Sequence, residues 1–331
     1  MRNSLLVYLA IPLALAAADK KPVVPSPKAG IKTPGVQIPI ASLKTEAEIA
    51  VAPAWMGVSD VLLIPNTEQG TLDRVDPKTN KITTPVPGVT KACGGAVTAF
   101  GSLWVPSCAD QSLVRIDSKK WEATAKIATG VGTAPLALAA TTDSVWIFSD
   151  DRTTLSRVDP DQNQVVAEIR LPAGCTGLAF GETSLWAACP DEGRVLRINP
   201  LTNLVEKRIE VSPRPRALAI GENSVWVLCQ KDGQVDRIDP KTNKVSKSIE
   251  LGVPGAMGGI AVGLGSVWVT LDGFPLTRID PQPEKEKVVQ QFWGPGGGAI
   301  QIGVNAVWLS NLQRGTLWRL DPKRVQATLA E

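Results

Sequence analysis

The chain has 331 residues, with 35 Lys and Arg against 32 Asp and Glu and a formal charge of +3. So weak a balance, without a basic run, argues against nucleic acid as a partner. There is no histidine, which removes the usual general base, the usual neutral metal ligand and every Ser-His or Cys-His pair, and leaves catalysis to carboxylates, lysines, cysteines or the lone Tyr8.

Residues 1–18 read as a secretory signal peptide. Arg2 supplies the positive start, Leu5 to Leu15 is an apolar run, and Ala16-Ala17-Ala18 is a small-residue cleavage site. The run is shorter than the ~20 residues a bilayer requires, and no later segment is long and apolar enough to span one. The mature protein, starting at Asp19, is therefore expected to be exported, periplasmic or secreted, with no membrane span. Residues 19–40 hold Pro22, Pro25, Pro27, Pro34 and Pro39 among Lys, Ser and Gly. This composition reads as an extended linker with no core of its own.

Residues 41–331 are built from one unit written seven times. An apolar-Trp-apolar triplet is followed, about nine residues later, by Arg-apolar-Asp-Pro. Trp104, Trp146, Trp186, Trp226, Trp268 and Trp308 mark six copies at intervals of 40–42 residues, and Leu63 takes the place of tryptophan in the first. Arg74, Arg115, Arg157, Arg197, Arg237, Arg278 and Arg319 follow, each with Asp or Asn two positions on. A strand-rich period of ~40–45 residues is the signature of propeller blades.

The copy from Ala217 to Leu251 shows the content of one unit. Ala217–Ile220 is a short apolar strand, Ser224–Cys229 a second centred on Trp226, Gln234–Asp239 a third and Lys244–Leu251 a fourth, with turn residues between them. The fold class is thus all-β, a seven-bladed β-propeller of four-stranded antiparallel blades. In the Asp-Pro-x-x-Asn turn, aspartate accepts a backbone N–H two residues on, proline presets φ, and asparagine tolerates a left-handed conformation. The sevenfold Arg and Trp read as scaffold, the arginine stem along apolar surface with its guanidinium on the Asp or a carbonyl, and the indole wedged between blades. Two segments compete for the outer strand of the last blade, Lys44–Val51 and Lys323–Ala330.

Export permits disulfides. Cys175 and Cys189 flank the open end of one first-to-second-strand hairpin, and Cys93 and Cys108 flank another, so these pairs are expected to be bonded. Five cysteines leave one over, and Cys229, one blade on from Cys189, is expected to be free.

The segments Ser224-Val225-Trp226-Val227 and Ser266-Val267-Trp268-Val269-Thr270, each followed by Arg-Ile-Asp-Pro, resemble the repeats of the YVTN-type and streptogramin (virginiamycin B) lyase-like seven-bladed propellers. The resemblance covers roughly residues 45–331, and the matching residues are those of the scaffold. It implies the propeller fold. The lyases of that group work with histidine and magnesium, for which this chain has no matching histidine, so no catalytic residue, metal or cofactor is carried over. The YVTN-type relatives imply a binding or surface role.

Function is sought in the loops between second and third strands and between blades, which open on one face. Arg214 and Arg216, on either side of Pro215, could hold a carboxylate or phosphate; the plainer reading is solvated charges. Trp293, beside a Gly-rich run and near Asp272, Phe274, Asn311 and Arg314, suits a sugar, peptide or small organic ligand; the plainer reading is a blade-edge cap. The run lacks Gly-Lys-Ser/Thr and a following helix, so it is not a phosphate loop. Scattered acids (Asp110, Asp150, Asp151, Asp191, Glu192, Asp232) have no calcium-loop spacing, and no metal site is expected. The sequence thus points to a non-catalytic binding or interaction protein whose loop face takes a small molecule, a glycan, a peptide or a protein. A C–O lyase related to the streptogramin enzymes is the alternative, and a scaffold in an envelope complex a third.

Overall fold

The computed structural model describes residues 28–66, 69–132 and 137–329; the expected signal peptide, with residues 19–27 of the linker, lies outside them. Seven antiparallel sheets follow one another along the chain. In blade 5 the strands are Pro215–Gly221, Ser224–Cys229, Gln234–Asp239 and Lys244–Glu250, paired in chain order. The second strand of that blade is buried throughout, whereas the fourth is mostly exposed, with Val245 half-buried and Ile249 buried. This is the gradient a blade requires, since the middle strands are covered on both faces and the outer one meets water.

All six register tryptophans are fully buried. Each lies directly across from the arginine of its own blade, as Trp226 does from Arg237. The indole N–H of Trp226 donates to Gly221 O at 3.1 Å, so the ring also closes the first hairpin. The Arg237 guanidinium lies 5.2 Å from the Trp226 ring centroid, a cation–π contact. Arg115, Arg157, Arg197, Arg237 and Arg319 then reach forward to the next blade, whereas Arg278 stays within its own, donating to Gln290 at 2.7 Å. Arg197 donates to Pro240 O at 2.7 Å and Asn243 Oδ1 at 2.8 Å. Arg319 of the last blade does the same to Pro77 O and Asn80 Oδ1 of the first, which joins the ends of the ring.

Where the arginine reaches forward it takes the turn of the following blade, and the aspartate of its own blade serves its own turn. The Asp239 carboxylate accepts the Lys241 N–H at 2.8 Å, and that bond holds it below the usual aspartate range. Blade 1, which has Leu63 in place of tryptophan, compensates from its neighbour. Trp121 takes the left-handed turn position that Asn243 holds elsewhere, and Arg74 stacks on it at 4.5 Å.

The ring is closed by Ala47–Ile49, which pairs antiparallel with Thr316–Leu320 as the outer strand of blade 7. The rival segment is helical over Pro322–Ala327, because Asp321 caps it by accepting the Lys323 N–H and proline occupies the first turn. The linker expectation needs correction over residues 28–40. Gln37–Pro39 adds in parallel to the outer strand Lys287–Trp293 of blade 6, and Val36, Ile38 and Ile40 are buried. Their alternate spacing is a strand signal that the surrounding prolines obscured, and proline is tolerated on an edge strand.

Both expected disulfides are present, with Cα–Cα separations of 5.8 Å for Cys93–Cys108 and 4.0 Å for Cys175–Cys189. Cys229 is free and buried, and burial together with the Asp236 carboxylate pushes its thiol pKa up. Denatured, unreduced protein should therefore show one free thiol per chain. Cys175→Ser with Cys189→Ser should cost about 2–4 kcal/mol in a denaturant melt; five free thiols, or no loss of stability, would count against the pairing.

Candidate functional site at the channel mouth

The turns between second and third strands and the links between blades share one face. On it the first strands of the seven blades converge around the channel. Each blade contributes to a cavity of about 330 Å³ at this mouth, through residues 54–56, 94–95, 137, 176–178, 216–218, 258–260 and 298–301. The wall is mostly glycine, alanine and aliphatic side chains. Gly258 is obligatory, because a Cβ there would fall 1.8 Å from Thr270 O.

Among the described residues, Arg216 is the one charged side chain in this wall. It projects from a bulge. Pro215 pairs with Cys229 and Ala217 with Leu228, leaving Arg216 as the extra residue on its strand. A bulge re-aims a side chain in this way. The Thr176 hydroxyl donates to Arg216 O at 2.7 Å, fixing the bulge to blade 4. Arg216 is exposed. Trp55 is the one aromatic residue among the described residues of the wall, half-buried at the entry of blade 1. The sequence reading missed Trp55, although its position outside the tryptophan register was available as a signal. Two disulfides stand beside the mouth, since Cys93 precedes Gly94 and Cys175 precedes Thr176.

The structure separates Arg214 from Arg216. Arg214 turns outward into a groove between the loops of blades 4 and 5. The second group of candidates is tied into the link and its neighbouring hairpins. Asn311 is buried, donating to Pro295 O at 3.1 Å and accepting the Arg314 N–H at 3.0 Å, and so anchors the link and its own turn. The Arg314 guanidinium lies 5.6 Å from the Trp318 ring. Asp272 accepts from Gln313 at 2.9 Å. Trp293 sits across from Pro39 on the outer strand of blade 6. The link itself is laced to both hairpins by Gly273 N–H to Gly296 O and Leu312 N–H to Gly297 O. Among the described residues no three or more His, Cys, Asp or Glu side chains are grouped to hold a metal ion, and no helix is long and apolar enough to cross a membrane.

No family model and no curated relative matches the sequence. Solved structures do. Virginiamycin B lyase from Staphylococcus aureus superimposes with a TM-score of 0.68 at 14% identity, covering 82% of this chain and 97% of that one. A streptogramin B lyase structure gives 0.67 at 15% identity, covering 81% and 92%. BamB from Moraxella catarrhalis gives 0.58 at 15% identity, covering 81% and 85%. At such low identity the likeness is one of architecture: the chain has the propeller fold that it shares with the streptogramin lyases and BamB.

Proposed function

We propose that this protein is an exported binding module that captures a small anionic ligand with a flat apolar part at the channel mouth, without performing chemistry on it. The observation that carries the reading is Arg216: among the described lining residues, one guanidinium without a protein partner, set on a bulge, in a wall otherwise uncharged and mostly small or apolar. A charge-assisted hydrogen bond from such a donor is worth about 1.5–3 kcal/mol. Trp55 offers a face for a ring or another flat group. Among the described residues no Asp, Glu, Lys or Cys lines the mouth, so none of the groups left to a protein without histidine for acid–base or nucleophilic work is found there. Export is supported by the two disulfides.

The lyase alternative rests on the shared fold. A virginiamycin B lyase in which one histidine is changed to alanine is described as catalytically inactive, in a structure with quinupristin. The present chain has no histidine to fill such a role. Titration with 2-naphthoate and with its neutral amide tests the proposal. Naphthoate should bind at least 10-fold more tightly than naphthamide, and Arg216→Ala should remove that preference. Equal binding of acid and amide, or a preference that survives Arg216→Ala, would overturn it.

A further inference from the structure

The groove that receives Arg214 lies outside the channel mouth and has a character of its own. Its cavity is about 730 Å³. Blade 4 contributes Asp191 and Glu192 from the turn between its second and third strands. Blade 5 contributes Arg214 from the link and Lys231 from the equivalent turn. All four side chains are exposed. None of the ion pairs among the described residues joins the two acids to the two cations, so no charged nitrogen of one wall comes within 4.0 Å of a carboxylate oxygen of the other. The corresponding turn of blade 2 behaves differently, since Asp110 is paired with Lys126 at 3.0 Å within its own blade.

The cationic wall is held rigidly. Gln230 N–H donates to Arg214 O at 3.1 Å and Lys231 N–H to Pro213 O at 3.3 Å, which ties the link to the turn. The buried Asp236 carboxylate accepts both the backbone N–H of Ser212 at 2.6 Å and its hydroxyl at 3.0 Å. Arg214 itself has a φ of 58°, where the neighbouring links use Gly174 at 80° and Gly255 at 76°. A long side chain is thus kept at a left-handed position that favours glycine.

From this arrangement we infer a second binding site, specific for a zwitterionic ligand of the short-peptide class with both termini free. The ammonium end lies toward Asp191 and Glu192 and the carboxylate end toward Arg214 and Lys231. Walls of opposite charge that are not ion-paired with each other favour a ligand that carries both charges at a distance over one that carries either alone. The site is independent of the reading given for Arg216.

Titration of the protein at low salt with trialanine, N-acetyl-trialanine and trialanine amide tests the inference. Trialanine should bind at least 10-fold more tightly than either blocked form, and Asp191→Asn with Glu192→Gln should weaken it by a similar factor. Arg214→Gly is the decisive variant, because it removes the cation while relieving the backbone. It should melt at or above the wild-type temperature and still lose trialanine at least 10-fold. Binding that tolerates blocked termini, binding unchanged in Arg214→Gly, or no trialanine binding at 10 mM would each overturn the assignment.

Discussion

Replacing Trp226 with alanine is expected to cost about 3–5 kcal/mol of stability, the range for deleting a large aromatic side chain from a packed core. The side chain is fully buried. It donates to Gly221 O at 3.1 Å and carries the Arg237 guanidinium on its face, so its loss opens a cavity, orphans a carbonyl and frees the arginine that grips the next blade. A denaturant melt checks this. A loss below about 1 kcal/mol would mean that the repeated tryptophan is not a structural wedge, and the sevenfold unit would have to be reconsidered as a row of sites.

Removing the N-terminal belt is expected to be as damaging. A chain beginning at Ala52 would lack the closing strand Ala47–Ile49 and the added strand Gln37–Pro39. It would expose the surfaces now covered by Ile38, Ile40 and Leu43, which are 1%, 3% and 8% accessible. Burial of three such side chains contributes roughly 5–9 kcal/mol as an upper figure, which is comparable with the ~5–15 kcal/mol that stabilises a typical folded domain. The ion pair between Glu46 and Arg319 at 3.3 Å would go as well. Compared with a chain beginning at Lys28, the shortened form should lose its cooperative unfolding transition. Two forms that unfold within about 1 kcal/mol of each other would show that the ring closes without the belt.

The fold was legible because propeller blades repeat their scaffold residues in register. Trp, Arg, Asp and Pro recur at the same places, and the strands of blade 5 fell close to where the pattern put them. The disulfides were legible for a related reason, since each pair brackets the open end of a hairpin whose strands must lie side by side. Ring closure was not. Both candidate segments carried strand-like patterns, and the choice depended on the cap that Asp321 gives the C-terminal helix. The covering of blade 6 by Gln37–Pro39 was hidden by proline content that also suits a linker.

The candidate site was only half legible. Arg216 stood out as a residue the repeat does not require, but its separation from Arg214 depends on a bulge that no composition signals. The mouth wall escaped notice because glycine and alanine at strand entries are unremarkable one blade at a time; they become a cavity only when seven entries meet. Asn311 and Arg314 drew attention by position and proved to be engaged with their own blade and its link.

The most direct test of the account is a hydrogen-exchange footprint of the protein with and without saturating 2-naphthoate. The account predicts protection around residues 54–56, 94–95, 176–178, 216–218, 258–260 and 298–301, the walls of the mouth, with no change at the Asp-Pro turns on the opposite face. Protection confined to those turns or to the outer strands, with the mouth unaffected, would contradict it.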